Sequence, residues 1–343
     1  MPAVVESMAY RYETSADIPW HGLGHQIVRS PGESVSVDEI LERSGCDWKV
    51  VKDPLRTKNR NISIPGRCAL VRETDGQFFD IVGTEWKPIQ NRDAFEFFRK
   101  FCERGDMDMH TAGSLDGGRM VWAMAKLKSG FTLPGGDEIE GNLLFMNPHR
   151  FARSAVCEFT PIRVVCMNTL ILALNNAVNG LKVNVSHKTE FNPTLVEEAL
   201  GLSEQKMEKY QEAAQFLASK RVDRESMEQY FTSLFPVIRY NKSSANDNDI
   251  MTMEQLIGAG TTQSKNKRDI SKNAERLLTV VETQPGADMS AGTWWQPFNA
   301  VTYLTDHEFG RGTDSRLTSA WFGNNRRLKV KALNLALEMA EAA

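Results

Sequence analysis

Apolar and polar positions alternate in short runs through the first half of the chain and recur at helical spacing through the second. Runs at Trp48–Val51, Arg67–Arg72, Phe78–Val82 and Trp86–Ile89 predict strands, with Thr74 to Gln77 as a hairpin turn between the second and third. A second set follows at Met107–Leu115, Met120–Leu127 (across the turn Asp116 to Gly118), Leu143–Met146 and Ala155–Phe159. Val183 and Val185 add an edge strand. Two helical patterns frame the first set. Ser36 and Glu39 make a capping box for Val37–Arg43, which Gly45 ends, and Asn91 caps Asp93–Glu103, with Phe95, Phe98 and Cys102 on one face. Residues 1–34 read as irregular and rich in turns.

At Thr160 the period changes. Ala155, Cys157 and Phe159 alternate, whereas Ile162, Val165, Cys166, Thr169, Leu170, Ala173 and Ala177 follow helical spacing. A threonine cap and a proline at the first helical position precede them. The pattern predicts a central buried helix. Arg163 in its first turn opposes the helix dipole, so it calls for a carboxylate such as Glu158 or for a bound anion.

The expected fold class is therefore α+β: an antiparallel sheet with a central packed helix, in the order helix, strands, helix, followed by an α-helical C-terminal part. Beyond Asn192 and Pro193, helical patterns run over Thr194–Ser219, Arg224–Leu234, Arg268–Glu282, Trp294–Asp306, Ser315–Trp321 and Arg326–Glu341. Residues 241–266 are polar except around Met251 to Ile257 and read as a loop or linker. The organisation expected is an α+β core (1–190), a helical extension (191–240), a flexible linker or loop (241–267) and a helical C-terminal region (268–343).

Composition narrows the class. Hydrophobic residues make up 41% and charged residues 25%, the balance of an ordinary globular chain. No apolar run approaches the roughly 18 residues of a membrane span, and the amino terminus lacks the charged and apolar regions of a secretory signal. Five scattered cysteines, an odd number, read as reduced thiols, so the expected location is the cytoplasm. The formal net charge of −3 argues against a wholly basic nucleic-acid coat but leaves room for a local groove.

Motifs of enzymatic chemistry do not occur. There is no Gly-x-x-x-x-Gly-Lys-Ser/Thr, no Cys-x-x-Cys and no Gly-x-Ser-x-Gly, and Gly113 to Gly118 reads as a hairpin turn. His21 and His25 lack a third ligand nearby, and Cys157 and Cys166 sit in apolar patterns. No catalytic residue, cofactor or metal is expected. Charge placement is the positive signal. Lys49, Lys52, Arg56, Lys58, Arg60, Arg67 and Arg72 stand against the single acid Asp53, and Arg150, Arg153 and Arg163 are flanked by Phe151 and Phe159. Arg326, Arg327, Lys329 and Lys331 form a third cluster. Cations with neighbouring rings suit a single-strand groove, while a solvated hairpin face would show the same residues.

The run Thr160 to Leu170 resembles the signature of a phage- and plasmid-borne family, domain of unknown function 932. Pro19 to Gly24, Thr111 to Trp122 and Trp294 to Lys331 (with Asn299-Ala-Val, Asp306-His307 and Ser319 to Gly323) are similar to the same family. The resemblance implies a mobile-element setting and, more distantly, a relation to single-strand annealing recombinases. The leading expectation is thus a DNA-metabolism protein that binds single-stranded DNA, with ATP-independent annealing as its extension, acting as a homo-oligomer such as a ring or filament. Its binding residues would be Lys49, Lys52, Arg56, Lys58, Arg60, Arg150, Arg153 and Arg163. The rival is a non-enzymatic interaction protein that binds a host defence or replication factor through Trp294, Trp295, Phe298, Trp321 and Phe322.

Overall fold

The computed structural model describes residues 5–18, 23–163, 168–169, 183–185, 194–237, 270–310, 316, 319–320 and 323–343. In chain order the strands are β1 (Val5–Tyr12), β2 (His25–Val28), β3 (Val50–Arg56), β4 (Ser63–Arg72), β5 (Phe78–Gly83) and β6 (Met107–Leu115). They continue with β7 (Met120–Thr132), β8 (Glu138–Pro148), β9 (Ala155–Arg163), β10 (Asn168–Thr169) and β11 (Val183–Val185). They build two sheets. An eight-stranded sheet runs β10-β9-β8-β7-β6-β1-β2, with β11 also on β9, and β3-β4-β5 form a separate antiparallel meander. The architecture is mixed α and β with mainly antiparallel pairing; β1 and β2 are the parallel exception.

The N-terminal stretch, expected to be irregular, contributes β1 and β2. Glu6, Ser7 and Arg11 interrupt the apolar alternation of β1, and its partner β6 lies a hundred residues away, so local pattern could not reveal the pairing. Close approach fixes the sequence where they meet. A Cβ on Gly113 would stand 2.5 Å from the Ser7 carbonyl oxygen, which accounts for that glycine by packing rather than by phosphate binding.

The predicted central helix is corrected from its first residue. Thr160 to Arg163 continue β9 opposite β8, with Pro161 facing Gly141, and Asn168–Thr169 fold back on Arg163 and Ile162 as β10. A residue before proline is pushed towards extended backbone, and Thr160 and Ile162 are β-branched. Those preferences outweigh the helical spacing; apart from β10, the rest of that run, to Ala177, lies outside the described residues. Trp86 and Ile89 are buried, but Trp86–Ile89 is not a strand.

The helix packed at the centre is instead α2 (Asn91–Arg104), preceded by α1 (Val37–Arg43). Ser36 caps α1 as expected, its hydroxyl accepting from the Glu39 amide at 3.2 Å. Asn91 does not cap α2; it lies inside the helix and its amide donates to the Cys46 and Trp48 carbonyls. Phe95, Phe97, Phe98 and Phe101 are buried, and the Phe97 ring lies 5.2 Å from that of Phe145 on β8.

The C-terminal part is helical: α3 (Thr194–Ser219), α4 (Arg224–Leu234), α5 (Lys272–Thr283), α6 (Trp295–Tyr303) running into a π-turn (Leu304–Glu308), and α7 (Asn324–Ala342). Its apolar residues join those of the sheet and α2 in one contiguous core. The Trp295 indole donates to Asp137 at 2.7 Å, tying α6 to the β7–β8 turn. On the opposite face of the larger sheet, Leu23, Leu115, Trp122, Ile162 and Ala320 meet in a second apolar cluster. These residues come from all four stretches that carry the family resemblance, so that resemblance records packing as much as chemistry. The polar stretch 241–266 lies outside the described residues. No helix among the described residues is long and apolar enough to cross a membrane.

Candidate nucleic-acid interface

A buried polar node sets the meander against the larger sheet. His149 Nε2 lies 2.9 Å from Asn91 Oδ1, and the amide nitrogen of Asn91 already donates to two carbonyls. Its oxygen is therefore the acceptor and His149 Nε2 carries the proton. The His149 ring stacks on Phe79 of β5 and meets Trp48 edge-on. Arg72, at the end of β4, lies 4.7 Å over the Trp48 ring and donates to the Gly117 carbonyl at 3.0 Å. Arg119 donates to the Phe79 carbonyl at 2.9 Å, covering the β5 edge. At the other edge the Gln90 side chain bonds both the amide and the carbonyl of Val50, and Pro54 blocks further pairing.

The basic residues singled out from the sequence divide on this frame. Arg56, Lys58 and Arg60 stand exposed on the β3–β4 hairpin, where Arg56 makes only a long 3.5 Å contact with Asn61, and none of the three is in an ion pair among the described residues. Lys49 and Arg153 are also exposed. Lys52 is engaged internally: its ammonium donates to the Thr84 and Trp86 carbonyls at 2.6 and 3.0 Å. Arg150 is paired with Asp116. Arg163 ends β9, and its side chain lies outside the described residues.

The third cluster divides as well, with Arg327 exposed and Lys331 half-buried. Arg326 takes Glu158, the partner envisaged for Arg163, at 2.7 Å. Lys329 is fully buried against Asp306 at 2.7 Å, and burial holds its pKa below the usual lysine value while Asp306 pulls it back up. Of the flanking rings, Phe159 is in the core and Phe151 is exposed. Sequence reasoning missed Phe78, although adjacent phenylalanines in a strand point to opposite faces and one face of a meander is normally solvated. Phe79 is buried and Phe78 exposed.

The loop after β8 reaches the meander at the end away from the basic hairpin, since Asp80 pairs with Leu70, seven residues along β4 from the Ser63 that faces Arg56. The Phe151 amide donates to the Asp80 carboxylate of β5 at 2.9 Å, so Arg150, Phe151 and Arg153 line up beside the meander. This surface holds cations, apolar groups and the engaged carboxylates of Asp80 and Asp116. No group of three metal-ligating side chains occurs among the described residues.

A family model described as Domain of unknown function (DUF932) matches residues 79–321, well over half the chain. The chain belongs to this family. No curated protein and no solved structure matches it.

Proposed function

We propose that the protein binds single-stranded nucleic acid, DNA in the first place, along the meander from the β3–β4 hairpin to the loop after β8. The observation that carries the reading is the exposed trio Arg56, Lys58 and Arg60 without acid partners, in a chain whose other sheet-region arginines are largely paired. Lys49 and Arg153 extend the cationic track; Lys52 and Arg150 support the frame that presents it. Strand annealing by an oligomer is the finer form of the proposal. In its favour are the order α1, three-stranded meander, α2, which resembles the helix, strands, helix core of ring-forming single-strand annealing proteins, and the fact that annealing needs no nucleotide hydrolysis. The interaction-protein alternative is left without Trp294, Trp295 and Phe298, all of which lie in the core.

Fluorescence anisotropy with a labelled single strand at several salt concentrations tests the proposal. Each phosphate contact on a single strand adds about −0.7 to the log–log salt slope. Changing Arg56, Lys58 and Arg60 together to Ala is expected to flatten that slope by about two units and weaken binding to all sequences alike. Wild-type protein that ignores single strands at low salt would overturn the reading. A subsequent strand-pairing assay with complementary labelled oligonucleotides tests annealing itself.

A further inference from the structure

Five of the seven exposed large hydrophobics among the described residues belong to the meander or the loop beside it: Ile62, Ile64, Phe78, Ile81 and Phe151. A two-sided meander normally turns an apolar face to the core and a polar face to water. Here the inner face holds Leu70 and Val82 in the core, and the outer face still carries Phe78 (opposite Val71) and Ile81 (opposite Ala69), 43% and 44% exposed. Phe151, 56% exposed, is hydrogen-bonded to the same strand through Asp80. An apolar surface of this kind, rimmed by charge, marks a binding site.

Its rim selects the occupant. Arg67 lies opposite Gly83, Arg56, Lys58 and Arg60 follow at the hairpin, and Asp53 is the only acid between Lys49 and Arg72. From the Phe78–Val71 pair to the Arg56–Ser63 pair, β4 advances eight residues, about 26 Å at the usual strand rise. Rings at one end and unpartnered cations at the other, along one strand, fit a polyanion that carries its own flat apolar groups. We infer that Phe78, Ile81 and Phe151 form a stacking platform for the unpaired bases of a single strand. This rests on the binding reading above and specifies it. The platform takes bases by their faces, is indifferent to sequence, and rejects a duplex, whose base faces are already stacked. Base edges remain free for pairing.

Three probes of equal length separate the contributions: an oligo-dT, an abasic strand with the same phosphates, and a duplex. Wild-type protein should prefer oligo-dT to both others. The double variant Phe78→Ala/Phe151→Ala should lose about tenfold or more in affinity for oligo-dT, keep its salt slope, and bind the abasic strand as wild type does. Thermal melting checks that the variant is folded. Independently, in Phe78→Trp the indole emission should be quenched by oligo-dT and not by the abasic strand. Equal wild-type affinity for oligo-dT and the abasic strand would overturn the platform while leaving phosphate binding in place. A change in the mass of the double variant by light scattering would assign the face to contact between copies and also overturn it. Failure of wild type to bind any probe would remove both readings.

Discussion

Asp80 and Phe151 are joined across the two sheets: one carboxylate oxygen of Asp80 accepts from the Phe151 amide at 2.9 Å and the other from the Ile81 amide at 2.7 Å. The next residue, Ala152, has φ +56°, a left-handed conformation that a residue with a side chain rarely adopts, so the loop is held in its turn by its contacts. Asp80→Ala should cost about 1 kcal/mol by urea denaturation. It should also weaken oligonucleotide binding without changing the salt slope, because no cation is removed. A flattened slope would mean that the loop acts through Arg150 or Arg153 instead.

Phe98 on α2 is fully buried among Phe97 and Phe145. Replacing it by Ala leaves a cavity in a close-packed interior, and the expected loss is about 3–5 kcal/mol. That is a large part of the roughly 5–15 kcal/mol that holds a domain together. A urea midpoint close to that of wild type would show that the core around α2 repacks.

Lys329 and Asp306 are both inaccessible to solvent and paired at 2.7 Å. Lys329→Met removes the ammonium beside a buried carboxylate and should cost about 3–5 kcal/mol. The double variant Lys329→Met/Asp306→Leu should recover most of that loss, since two apolar groups no longer leave a charge in the interior. A double variant as unstable as the single one would show that the pair contributes through more than its mutual attraction.

His110 sits at a register shift in β6, and burial depresses its pKa to about 4; the nearby Asp17 opposes the shift, while Lys126 and Arg11 reinforce it. The folded state therefore keeps this ring neutral where the unfolded chain, with a value near 6.5, takes up a proton. Its contribution is fully present above about pH 6.5 and is lost as the pH falls towards 4, amounting to about 3 kcal/mol across that window. Denaturation of wild type at pH 7 and 4.5, compared with His110→Asn, should show a shallower pH dependence in the variant. Equal slopes would place the acid sensitivity elsewhere.

Local chemistry alone determined much of this molecule. The Ser36 cap, the turn at Thr74 to Gln77, the strands around Asp116 to Gly118, the β11 edge strand and the α3 and α4 helices follow from short-range signals: a hydroxyl near orphan amides, a glycine able to take positive φ, apolar residues recurring at a fixed period. The basic hairpin was visible for the same reason, because charge is written residue by residue. What tertiary structure decided was everything that depended on a distant partner. Thr160 to Arg163 became a strand because β8 offered a ladder to pair with, and Ser7 entered the large sheet because Gly113 left room for its backbone. Lys52, Arg150, Arg326 and Lys329 look alike in the sequence as cations, yet each spends its charge on a carbonyl or carboxylate far along the chain, whereas Arg56, Lys58 and Arg60 do not. Phe78 and Phe79 are neighbours of identical chemistry, and only the packing of one sheet face against the core sends one ring inward and leaves the other in water.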